Sequence, residues 1–141
     1  MFIGSYSHSV DDKGRLIMPA RFREGLCGSL HITIGLDDCL VVYNDKEWNA
    51  LAKKINDLPF TNKAARHLSR SFLGNSAEIE LDKQGRILIA QNLRELAGIG
   101  RDVVLIGIGE QIEIWDRDKW LDTSDKVDAD DFEASLESLG I

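Results

Sequence analysis

One segment of this chain is written twice, and that constrains the fold more than any other feature. Val10-Asp11-Asp12-Lys13-Gly14-Arg15-Leu16-Ile17-Met18-Pro19-Ala20 returns as Leu81-Asp82-Lys83-Gln84-Gly85-Arg86-Ile87-Leu88-Ile89-Ala90, 71 positions later. Both copies read Asp-x-x-Gly-Arg followed by an apolar run. Phe22 falls on Leu93 at the same offset. After one inserted residue, His31-Ile32-Thr33-Ile34-Gly35 aligns with Val103-Val104-Leu105-Ile106-Gly107. Leu40–Tyr43 then aligns with Ile112–Trp115, and Trp48 with Trp120. An aromatic pair in register is hard to obtain by chance. The chain reads as two homologous halves, about 8–48 and 79–120, joined by a helical linker.

Each half has the same grammar. A strand enters at Tyr6–Asp11 or Ala77–Asp82. A three-residue turn ends in a Gly that can take positive φ, as short hairpin loops require. A second strand follows at Arg15–Met18 or Arg86–Ile89. A short helix comes next, with Pro19 at its first helical position in the first half and Gln91–Leu96 in the second. Two further strands, near 30–34 and 40–43 or 103–107 and 111–115, close the unit. In the linker, Asp45 is the expected N-cap, and Trp48, Leu51, Ala52 and Ile55 recur at helical spacing as one apolar stripe. Pro59 ends that helix. A second runs from about Asn62 to Ser69, and the acidic stretch near Asp131–Leu139 is helical in pattern.

A half of about 40 residues is too small to bury an adequate core alone. Two halves packed about a pseudo-two-fold axis can share one. The expected fold class is therefore α+β, with two pseudo-symmetric hairpin modules sharing one small β-barrel and helices outside. The boundaries expected are 1–48 for the first module, 49–74 for the linker, 75–120 for the second module and 121–141 for an acidic tail.

The formal net charge of −7 argues, by itself, against nucleic acid, because phosphate binding is largely electrostatic. Its distribution softens that objection. Residues 116–141 hold nine acids and three bases, whereas residues 1–115 hold 15 acids and 14 bases. Any DNA-binding surface must then be local. No apolar run is long enough for a membrane span, and Met1–Ser9 lacks the pattern of a signal peptide, so the chain is expected in the cytoplasm. Cys27 and Cys39 fit no metal or redox spacing and read as ordinary thiols in a reducing compartment. His8, His31 and His67 show no ligand spacing, so neither a metal nor a cofactor is expected. The three tryptophans read as core or subunit-interface residues.

The paired Asp-x-x-Gly-Arg hairpins resemble the AbrB-type swapped-hairpin DNA-binding domain. The whole layout resembles the MraZ family: the opening Met1-Phe2-Ile3-Gly4, the Lys13-Gly14-Arg15-Leu16 turn, Pro19-Ala20-Arg21-Phe22-Arg23, Leu73-Gly74 and Trp115-Asp116. That likeness runs from Met1 to about Trp120. It implies AbrB-like modules fused in one chain and a ring-shaped homo-oligomer. It further implies a transcriptional regulator, usually a repressor, that binds direct repeats in the promoter of its own operon, the division and cell-wall cluster. Such proteins associate with the nucleoid. The resemblance also implies that DNA contacts come from the hairpins Asp11 to Arg15 and Asp82 to Arg86.

The chemistry of these residues suits that role. A hairpin can enter the major groove as a β-ribbon, where Arg15 and Arg86 can each pair with a guanine edge. Lys13 and Lys83 suit phosphate contacts, and Gly14 permits close backbone approach. Asp11 and Asp82 are repelled by phosphate, so they are expected to orient the arginines across the turn. Arg21, Arg23 and Arg94 lie on the short helices beside the hairpins as possible flanking contacts, with a solvated face as the plainer reading. Lys63, Arg66 and Arg70 are better suited to solvent or a subunit contact.

Two other readings compete. A protein-assembly module without DNA activity would fit the acidic balance, yet it would not need Lys and Arg at both tips. An enzyme of the paired-aspartate kind needs a shared proton, and the adjacent Lys and Arg charges would keep Asp11 and Asp82 ionised. The reading is of a non-enzymatic chain that binds double-stranded promoter DNA and copies of itself, with no membrane and no small-molecule substrate.

Overall fold

The computed structural model describes residues 1–123 and 129–141. The first half consists of β1 (Phe2–Ser9), β2 (Arg15–Ile17), α1 (Ala20–Arg23), β3 (Ser29–Ile34) and β4 (Leu40–Asn44). Between β4 and the second half lie α2 (Asp45–Asn56) and α3 (Lys63–Leu68), which runs on into a wide helical turn over Ser69–Leu73. The second half repeats the order as β5 (Ala77–Glu80), β6 (Arg86–Leu88), α4 (Gln91–Leu96), β7 (Asp102–Gly109) and β8 (Ile112–Asp116). It is followed by α5 (Arg117–Thr123) and α6 (Ala129–Ser138).

The strands pair across the halves. β1 lies antiparallel to β7, and its counterpart β5 lies antiparallel to β3, so each half's first strand is held by the other half. β4 pairs with its own counterpart β8, and β2 pairs with its counterpart β6. The result is a six-stranded antiparallel sheet in the order β1-β7-β8-β4-β3-β5 and a two-stranded ribbon, β2–β6. The pairing is symmetric about Val41–Glu113 in one and Leu16–Ile87 in the other. The bonds flanking the ribbon match too: Met18 N–H donates to the Gly85 carbonyl at 2.9 Å, and Ile89 N–H to the Gly14 carbonyl at 2.9 Å.

One core serves both halves. Leu16, Met18, Phe22 and Leu26 meet their counterparts Ile87, Ile89, Leu93 and Ala97 there, with Leu30, Ile32, Val103 and Leu105 from the sheet. Phe22 takes Phe2 and Tyr6 edge-on at 5.8 and 5.2 Å. Neither half could enclose these side chains alone, and burying each Val, Leu, Ile, Met or Phe among them is worth about 1.5–3 kcal/mol. A second cluster lies on the opposite face of the sheet, where Trp48 packs on Tyr43 and Trp120 on Trp115, the same pair of positions in each half. Cys39 is buried in this cluster, which pushes its thiol up to about 12, with the Glu113 carboxylate adding to the effect. Among the described residues, no helix is long and apolar enough to cross a membrane.

The structure corrects several details of the sequence reading. The N-cap of α2 is Asn44, whose side chain accepts the Glu47 N–H at 2.9 Å. Asp45 is the first helical residue, because β4 runs one residue further than its pattern suggests. Pro19 stands at the N-cap position of α1, with ψ near 140°, and the helix begins at Ala20. The repeat alignment shifts by one in the third strand. Leu30, not His31, is the counterpart of Val103: Leu30 faces Asn44 as Val103 faces Asp116. Both are fully buried, while His31 and Val104 lie on the other face. A one-residue slip exchanges the faces of a strand. The cause lies in the following turn. Leu36–Asp38 is a three-residue loop with Asp37 and Asp38 at left-handed φ, whereas its counterpart Gly109-Glu110 has two residues.

Candidate nucleic-acid interface

The two tips are built alike, atom for atom. Asp11 N–H donates to the Arg15 carbonyl at 2.9 Å, and Gly14 N–H to the Asp11 carbonyl at 3.0 Å. Gly14 has φ of +84° and Gly85 of +76°, conformations that L side chains rarely adopt. The Asp11 carboxylate organises the loop. Its Oδ1 accepts the N–H groups of Lys13 at 3.0 Å and Arg15 at 2.8 Å, and its Oδ2 accepts Arg15 Nε at 2.7 Å. Asp82 does the same with Gln84 and Arg86 N–H, both at 2.9 Å, and with Arg86 Nε at 2.7 Å. The backbone N–H of Arg15 holds the Asp11 carboxyl below its ordinary range, helped by the guanidinium and the Lys13 N–H. Arg86 and Gln84 act likewise on Asp82. Each carboxylate is therefore committed to ionised work inside its own turn, the reverse of a shared-proton pair.

Each aspartate engages its arginine through Nε, and among the described residues the terminal guanidinium nitrogens form no hydrogen bond. Arg15 keeps 34% and Arg86 24% of side-chain surface exposed. The ribbon register puts both on one face. Leu16 and Ile87 point into the core, so Arg15, Ile17, Arg86 and Leu88 point out, with Arg15 opposite Leu88 and Arg86 opposite Ile17. The arginines occupy diagonal corners of this face, about 7–8 Å apart at that spacing. Ile17 and Leu88 lie exposed between them. The sequence reading did not single out this apolar pair, although alternation along each three-residue strand contains the signal. Lys13 and Lys83 are exposed in the loops.

Arg23 and Arg94 are not simply solvated. Each reaches from its short helix to the tip of the other half. A Cβ at Gly14 would stand 3.0 Å from the Ile89 carbonyl and 3.2 Å from a terminal nitrogen of Arg94, and one at Gly85 would collide with a terminal nitrogen of Arg23. Arg94 Nε donates to the Ile89 carbonyl at 3.1 Å. The buried Nε of Arg23 has no partner among the described residues. Each tip is thus composite: loop, aspartate and arginine from one half, a second arginine from the other. Only strand exchange brings these groups together, so spacing along the chain could not reveal it. Arg21 is exposed on α1, and its counterpart is Asn92.

The model of the MraZ protein family, whose description also carries the term antitoxin-like, matches this chain twice, over residues 1–71 and 72–139. The chain belongs to the MraZ family. The two matches divide it at the spacing of the repeat, so each family unit ends with its share of the linker or tail. Among MraZ relatives, the Transcriptional regulator MraZ of Acetivibrio thermocellus is 48% identical over 143 residues, covering all of both chains. That of Clostridium tetani is 47% identical over 142 residues, again in full. The one from Caldicellulosiruptor bescii is 48% identical over 143 residues, also end to end.

Proposed function

We propose that this MraZ-family chain is a DNA-binding transcriptional regulator whose reading surface is the outward face of the β2–β6 ribbon with its two composite tips. The observation that carries the reading is the placement of Arg15 and Arg86 on one exposed face, each oriented by its own aspartate. Arg15 and Arg86 read guanine edges, Lys13 and Lys83 meet phosphates, Gly14 lets the backbone approach, and Arg21, Arg23 and Arg94 flank the contact. The exchange of β1 and β5 between halves supports an AbrB-type swapped-hairpin barrel, with modules at 1–48 and 75–120 around the 49–74 linker. The relatives' name, Transcriptional regulator MraZ, supports the regulatory role. No catalytic role is assigned, and the protein acts in the cytoplasm at the nucleoid.

A single ribbon makes few contacts and binds weakly. A ring-shaped homo-oligomer on promoter direct repeats makes each further contact intramolecular, raising avidity by roughly 10²–10⁴. That is how a chain of net charge −7 binds DNA, as a repressor of its own division and cell-wall operon. The test is binding of the upstream promoter fragment by wild type and Arg15→Ala, with oligomeric state followed by light scattering. The variant is expected to lose specific binding and keep its assembly. Unimpaired promoter binding by the variant would refute the reading and leave the assembly-module alternative.

A further inference from the structure

Along the chain, the histidines show no ligand spacing, but the fold assembles a donor set that spacing conceals. His31 on β3, Asp45 at the head of α2 and Glu78 on β5 place one ligand atom each within 4.8 Å of one another. The β3–β5 register sets Glu78 directly opposite His31. His31 Nε2 stands 2.6 Å from Asp45 Oδ1. The imidazole is almost enclosed, and its ring stacks on Trp48 at 5.1 Å with planes 6° apart, which fixes its orientation. Both carboxylates face solvent, so a cation can enter and the acids can adjust by side-chain rotation.

We propose that His31, Asp45 and Glu78 form a binding site for a divalent transition-metal ion, with Zn²⁺ the best fit. One imidazole nitrogen and two carboxylate oxygens are borderline donors of the kind Zn²⁺ takes at about 2.0–2.2 Å, with water completing the shell. Such bond lengths put neighbouring donors roughly 3.4 Å apart, within the span the three atoms already occupy. The counterpart positions supply an internal comparison. Val104 replaces His31, Ser7 faces it in place of Glu78, and Arg117 begins the helix in place of Asp45. The core and tip positions occur in both halves; this donor set occurs in one. A bound ion would tie β5, the edge strand contributed by the second half, and the head of α2 to the first half's sheet.

The test is calorimetric titration of Zn²⁺ into the full chain after chelator treatment, with thermal unfolding and Co²⁺ absorption alongside. We expect one saturable site per chain and a higher melting temperature with the ion. Co²⁺ should give visible bands and quench the emission of Trp48. Glu78→Gln, at an exposed position, keeps the fold and weakens Zn²⁺ binding roughly tenfold or more, since losing even a group that only supports a ligand costs about 10–100-fold. Asp45→Asn acts in the same direction, and His67→Gln has no effect. Absence of saturable binding, or equal affinity in wild type, Glu78→Gln and Asp45→Asn, would overturn the site. Promoter binding is measured separately, so either result stands apart from the DNA reading.

Discussion

The two tips share one geometry and differ in charge. The first loop reads Asp12-Lys13-Gly14 and the second Lys83-Gln84-Gly85, so beside the Asp–Arg pair common to both, the first loop holds an acid that balances its lysine and the second loop holds none. The supporting arginines differ as well: Arg94, over the first tip, is anchored on the Ile89 carbonyl, whereas the Nε of Arg23, over the second, has no partner among the described residues. The aspartate-centred turn is thus held constant while the groups around it vary. The lesson is that duplicated geometry comes from the backbone and the carboxylate, and functional asymmetry from the decoration. On this basis the first tip is the more rigid and the second the more cationic.

Four measurements would break or sharpen that contrast. Leu16 and Ile87 face each other at the centre of the ribbon and are both fully buried. Leu16→Ala and Ile87→Ala should each cost about 2–5 kcal/mol of unfolding free energy, and a clear inequality in chemical denaturation would contradict equivalent halves. Gly14→Ala and Gly85→Ala come next, each carrying left-handed strain of about 1–3 kcal/mol. Gly14→Ala should be the costlier, since its new methyl meets the fixed Ile89 backbone, while Gly85→Ala meets the unanchored Arg23 side chain, which can swing away. Melting temperatures of the pair decide this.

A smaller effect is expected from the lysines. Replacing Lys83 with Ala should reduce the slope of log affinity against log salt by about 1, and Lys13→Ala should reduce it less, because Asp12 already offsets that charge. Equal slopes from fluorescence anisotropy would remove the claimed charge difference. The smallest effect concerns acid. Because the folded state depresses the carboxyls of Asp11 and Asp82, their contribution is present above the ordinary carboxylate range, about pH 4. It is lost as pH falls through their lower folded values. The double variant Asp11→Asn, Asp82→Asn should therefore lose less stability than wild type on acidification below that range. Parallel acid unfolding curves would show that the turns contribute nothing through these charges.

Much of the tip was legible in the chain. Asp-x-x-Gly-Arg sets a loop length, a residue able to take positive φ and a carboxylate four positions before its cation, all local features. The apolar runs after the two turns marked β2 and β6 as strands, but which of their residues are buried was read only from the structure. The offset between β3 and β7 did not, because it depended on whether the next turn held two or three residues, and Asp37 and Asp38 gave no signal of their left-handed backbone. The reach of Arg23 and Arg94 was equally hidden, since each serves a loop in the opposite half.

The sequence by itself determined the duplication, the turn chemistry and the need for a shared core, because these rest on short-range sterics, local hydrogen bonds and the insufficient burial of a half on its own. Tertiary structure alone decided that the first strands are exchanged, that Arg15 and Arg86 share a face, and that His31, Asp45 and Glu78 converge. Those outcomes depend on which strand fills which edge, a choice made by packing one core from two halves.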